Sequence, residues 1–221
     1  MTELRAGELS AAYANPAGFN PENGYPPGHP EFARLVGHLA TFPDGATHAL
    51  SSFGGAGKST IAASLARHGY QIVSYDAFYT GQQDVVAPDW ETYDAAALIA
   101  GVLEPLAAGQ PGEYTPRDWI TGEKGEPVVL DPSRPTVVEG VGLLRPDVRG
   151  RFTGALVWVD RPLDLAMRDG IARGGDPGLE KLWRKYWGPS DEAFFHRHDP
   201  RAQATFLFDR RGDGDGPHSA T

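Results

Sequence analysis

The 221-residue chain contains no cysteine. Disulfide staples, thiolate nucleophiles and thiolate metal ligands are therefore excluded, and a reducing, cytoplasmic setting is the expectation. Long apolar runs are missing too. Nothing approaches the roughly 18 consecutive apolar residues of a membrane span, and the first residues lack the basic-then-apolar pattern of a secretory signal. No membrane partner is expected. Positive charge is scarce, with 20 Lys+Arg against 29 Asp+Glu and a net charge of -9. A phosphate backbone selects basic surfaces, so no nucleic-acid partner is expected, and any cations the chemistry needs must be gathered locally. The seven histidines show no metal spacing, and His196-x-His198 has no evident third ligand.

What the chain does have is Ser52-Phe53-Gly54-Gly55-Ala56-Gly57-Lys58-Ser59-Thr60. A β-like run, 46–51, precedes it, and 61–68 reads as a helix. Strand, glycine loop, Gly-Lys-Ser and helix make the context of a phosphate-binding P-loop. Glycines let successive N–H groups curl around a polyphosphate, and the helix N-terminus adds free N–H groups and its positive dipole end. Gly54 through Thr60 are the expected nucleotide cradle. Lys58 is expected to stand exposed there and reach the β- and γ-phosphates, with the Ser59 hydroxyl on Mg²⁺. The consensus has glycine where this chain has Ser52.

The remaining chain reads as a single α/β unit. Residues 1–29, rich in Pro, Gly and Asn, read as an arm, and a helix follows from Pro30 to Thr41. Further strands are expected at 71–75, 136–141, 155–160 and 204–209. Their continuous apolar character suits parallel strands covered on both faces. Helices are expected at 95–107, 162–172 and 179–195. Tyr114 to Val129 reads as a hairpin-like excursion that either covers a substrate or packs on the sheet.

Two acids close strands. Asp76 follows the second, where open α/β sheets bind ligands, and would take a proton from an attacking hydroxyl or simply cap its loop. Glu139 closes the third, where an acid orients Mg²⁺ through water. Arg168 and Arg173 precede Gly174-Gly175-Asp176-Pro177-Gly178, and suit either a lid that closes on phosphates or a solvated basic face.

Over residues 46–209 the chain resembles the uridine kinase/phosphoribulokinase-like P-loop kinases. The resemblance rests on the glycine loop, on Ser74-Tyr75-Asp76-Ala77-Phe78-Tyr79, on Trp90-Glu91-Thr92-Tyr93-Asp94-Ala95, on Val138-Glu139-Gly140-Val141, and on Val159-Asp160 followed by Arg168 and Arg173. It implies a P-loop NTPase three-layer sandwich with a five-stranded parallel sheet, order 2-3-1-4-5, and a small lid. Residues 1–45 would then be an arm and helix packed on the core, and 210–221 a disordered tail. It implies an ATP- and Mg²⁺-dependent kinase acting on a nucleoside or related sugar-bearing alcohol, or on a polyol, vitamin or antibiotic. A nucleotide switch or regulatory ATPase is the reading from another class. Lys58, Asp76, Arg168 and Arg173 are the implied catalytic residues, Ser59 and Glu139 the metal residues, and Tyr79, Trp90, Glu91, Asp94 and Arg117 the acceptor contacts. Glu91 stands where the family has an aspartate for ribose hydroxyls. A homodimer is left open.

Overall fold

The computed structural model describes residues 24–26, 28–118, 121–174 and 177–212. The expectations for residues 1–23, for Gly175-Asp176 and for 213–221 lie outside them. Five strands form one sheet: β1 (Thr47–Ser51), β2 (Gln71–Ser74), β5 (Thr136–Gly140), β6 (Leu156–Asp160) and β7 (Phe206–Asp209). All pairings are parallel, in the spatial order β2-β5-β1-β6-β7. Counting these five alone, the order is 2-3-1-4-5. The shift in numbering comes from a separate antiparallel pair, β3 (Gly112–Tyr114) with β4 (Val128–Leu130), which is the base of the expected excursion. Every residue of β1 and β5 is buried, which requires cover on both faces of the sheet.

Register places the chemistry. Leu50 lies beside Glu139, and Glu139 beside Ser74, so three strands end at one level. β1 leads through the glycine loop into α2 (Lys58–Arg67), whose buried Ile61, Ala62 and Leu65 pack into the main core. β2 gives way to a 3-10 turn, Tyr75–Phe78, so Asp76 sits on a tight turn past the strand end. Ahead of the sheet, α1 (Pro30–Leu39) starts with proline at its first turn and buries Phe32, Leu35 and Leu39. Glu31 Oε1 accepts the Asp209 N–H at 3.0 Å, tying α1 to β7.

Two long helices each contain a π-turn just before a proline. α3 runs Ala95–Leu98, turns wide at Ile99–Leu103, and resumes at Glu104–Ala107 with Pro105. After α4 (Pro146–Arg149) and α5 (Leu163–Gly174), α6 runs Pro177–Leu182, turns wide at Trp183–Trp187, and resumes at Gly188–His198 with Pro189. A proline lacks the N–H and its ring strikes the carbonyl four residues back, so an extra residue in the preceding turn relieves the clash. A short α7 (Pro200–Gln203), capped by Asp199, returns the chain to β7. Among the described residues, no helix is long and apolar enough to cross a membrane.

Candidate active site

The glycine loop, Glu139 and Asp76 meet at the carboxyl ends of β1, β5 and β2. Gly57 caps α2 in the left-handed region, φ 90°, which glycine alone adopts without strain. Gly55 has φ +76°, and a Cβ there would overlap the Ala166 carbonyl of α5. A Cβ on Gly54 would come within 2.6 Å of the Trp183 ring. The glycines therefore admit α5 and Trp183 against the loop, as well as leaving the backbone bare.

Lys58 corrects its expectation. It is buried, 8% exposed. Its Nζ bonds the Phe53 carbonyl at 3.0 Å and Ser52 Oγ at 3.2 Å, while Ser52 donates to the same carbonyl at 2.7 Å. The residue that departs from the consensus thus holds the lysine. Burial lowers the Lys58 ammonium, opposed by the nearby Glu139, Asp191 and Asp76 carboxylates. Glu139 is buried and accepts the Ser74 hydroxyl at 3.1 Å. Burial, with Asp76 nearby, pushes its carboxyl up to about 7. Such an acid, beside a lysine, is suited to a divalent cation, which would draw it back into the ionised form. No group of three or more acids and histidines able to grip a metal exists among the described residues. Mg²⁺ needs only one or two protein ligands, since phosphates and water complete its shell.

Asp76 is exposed and accepts the Tyr93 hydroxyl at 2.9 Å. Tyr79 and Trp90 are buried against Tyr93, and the Tyr79 hydroxyl has no hydrogen-bond partner among the described residues. Trp90 has φ 51°, an uncommon backbone for a bulky residue. Arg117 joins this side through its N–H, which bonds the Ala77 carbonyl at 3.0 Å. Two acids of the acceptor set have local tasks. Glu91 is exposed and accepts the Asp89 N–H at 2.9 Å. Asp94 caps α3 by accepting the Ala97 N–H at 2.9 Å. On α5, Arg168 faces Asp169 at 3.5 Å, whereas exposed Arg173 lies near enough to act on both Lys58 and Glu139.

Sequence reasoning missed Asp191. This carboxylate, 2% exposed, accepts the Gly54 N–H at 2.7 Å, and burial pushes it up to about 7. It missed Arg210 as well, whose guanidinium donates to the Ala56 carbonyl at 2.9 Å and steadies the far side of the loop. A cavity of about 420 Å³ opens beside the loop near Phe53, lined by Asp160, Phe195, Arg201 and Arg211 but by neither Lys58 nor Asp76. Its arginines are paired, Arg201 and Arg211 to Asp160 at 3.0 and 3.4 Å.

No protein-family model matches the chain, and no curated protein matches it. Solved structures do. A candidate uridine kinase from Bacillus stearothermophilus superposes with a TM-score of 0.62 at 16% identity, covering 81% of this chain and 97% of that one. A candidate fructose transport system kinase from Silicibacter sp. TM1040 superposes with a TM-score of 0.60 at 21% identity, covering 81% and 99%. The chain has the fold of the uridine kinase/phosphoribulokinase-like P-loop kinases.

Proposed function

We propose that this chain is an ATP- and Mg²⁺-dependent kinase that phosphorylates a hydroxyl of a nucleoside or related sugar-bearing small molecule. The observation that carries the reading is the convergence of Lys58, Glu139 and Asp76 at the ends of three adjacent strands, around a glycine loop that opens a helix. That both structural neighbours bear kinase names supports it. Lys58 and the loop N–H groups would hold the polyphosphate, and Ser59 with Glu139 would hold Mg²⁺, which supplies charge neutralisation when bound. The acceptor oxygen attacks the γ-phosphorus as the bond to the β–γ bridging oxygen breaks. Its proton passes to Asp76, and ADP leaves. Positioning and electrostatics supply most of the rate. Tyr79, Trp90, Glu91, Asp94 and Arg117 would line or brace the acceptor side, and Arg173, with Arg168 behind it, would approach the phosphates from α5.

The test is ADP release from MgATP across a panel of nucleosides, sugars, polyols and other small alcohols. Release that depends on one class of alcohol, with a stoichiometric phosphorylated product, is the expected result. Slow hydrolysis indifferent to every alcohol and stimulated by a protein would overturn it in favour of a nucleotide switch.

A further inference from the structure

The proposed chemistry leaves Asp191 without a task, although burying a carboxylate costs several kcal/mol that a neutral side chain would not. Its position suggests one. Asp191 Oδ2 takes the Gly54 N–H at 2.7 Å, Lys58 lies within electrostatic reach, and the Trp90 indole lies beside it. Its neighbour Ser190 is fully buried and accepts the Ala87 N–H at 2.9 Å. Consecutive residues in the resumed part of α6 therefore grip the glycine loop with one side chain and the segment leading to Trp90 with the other. By contrast, the Gly55 and Gly57 N–H groups carry no hydrogen bond among the described residues. The first-turn N–H groups of α2 have no acceptor within the helix. Asp191 occupies the Gly54 amide and Phe53 the Ala56 amide, and those of Gly55 and Gly57 remain for a ligand.

We propose that Asp191 is a positioning residue of the phosphate loop: it fixes the Gly54 peptide so that the following N–H groups face the anion, and with Ser190 it sets the spacing between that loop and the acceptor-side segment. The proposal rests on the kinase reading above. Its test uses MgADP, so no acceptor need be known, and combines calorimetric binding with the Gly54 amide resonance in the full chain. Asp191→Ala should weaken MgADP by at least about tenfold, the effect of losing a hydrogen bond to a charged group, and move the Gly54 amide proton upfield. Asp191→Asn keeps an acceptor oxygen and should recover most of the affinity, with a residual loss of roughly threefold and an intermediate Gly54 shift. Ser190→Ala should leave MgADP affinity unchanged while amide exchange in 84–94 accelerates. If wild type binds MgADP and the alanine variant binds equally well with Gly54 unmoved, the positioning role is overturned and nucleotide binding stands. Should the alanine variant not fold, the asparagine variant decides, and unchanged affinity with an unchanged Gly54 resonance overturns the proposal. Failure of wild type to bind MgADP overturns both readings.

Discussion

Tyr93 donates its hydroxyl to Asp76 Oδ1 at 2.9 Å, across the isolated antiparallel bridge that pairs Tyr93 with Tyr79. The Tyr93 ring is itself held, stacked on Tyr75 with centroids 4.7 Å apart. One carboxylate oxygen is thereby anchored and the other remains for a substrate hydroxyl. Tyr93→Phe should lower kcat roughly three- to tenfold, below the loss of at least about tenfold expected for Asp76→Asn. Nucleotide affinity should not change in either variant. Equal turnover in Tyr93→Phe and wild type would show that Asp76 needs no anchor.

Lys58 is the cation among three acids, and its removal has two consequences. Lys58→Ala should cut phosphoryl transfer by about 10²-fold or more, as loss of a preorganised donor does. It should also deprive the buried Glu139 and Asp191 of the ammonium that favours their ionised forms, so thermal stability should fall more at pH 8 than at pH 6. Single-turnover ATP cleavage checks the first, and melting curves at the two pH values check the second.

Gly55 separates packing from phosphate binding. Its Cβ would strike the α5 backbone at Ala166, and its φ of +76° already disfavours a side chain. Gly55→Ala should destabilise the nucleotide-free protein by about 1–3 kcal/mol. A melting temperature equal to wild type without nucleotide would mean that α5 yields to the methyl group.

Stability should decline on both sides of a maximum. Asp191 and Glu139 keep their protons in the folded state up to about 7. In the unfolded chain they release them near about 4. The folded state binds more protons across that window, so this stabilisation is full below it and is lost as pH rises toward 7. His48 acts in the other direction. Burial lowers it to about 4, and its Nδ1 accepts the Ala155 N–H at 2.9 Å. Its contribution is full above the ordinary histidine value and is lost as pH falls toward 4. Asp191→Asn should therefore melt a few degrees above wild type at pH 8, at about 2–4 °C per kcal/mol for this size, with the margin narrowing as pH falls and closing below about 4. The same variant, more stable yet weaker for MgADP, would mark a residue kept for function.

The sheet and the glycine loop were legible because their signals are local. Apolar runs such as Thr136–Gly140 and Leu156–Asp160 declare buried parallel strands, and Gly57-Lys58-Ser59 declares a helix start that faces an anion. The hairpin base was legible from its flanking turns. Where the reading stopped, the determinant was distant or ambiguous. Asp191 meets Gly54 across 137 residues, and in sequence it is one polar position inside the helix read over 179–195. Asp94 and Glu91 sit in a turn before a helix, where a carboxylate that caps and one that binds look alike. Lysine is usually exposed, and the partners that draw Lys58 inward, the Ser52 hydroxyl and the Phe53 carbonyl, are set by the loop's geometry, which no pattern announces.

The wide turn at Trp183–Trp187 has a rotational consequence. Each helical residue advances about 100° around the axis, so one extra residue re-indexes every side chain downstream by that amount. The widened turn before Pro189 thus acts as a dial that swings Ser190 and Asp191 to their present bearings. Shortening Trp183–Trp187 by one residue would leave the composition of α6 almost untouched, yet aim both side chains about a quarter-turn away from the loop and the segment they now join.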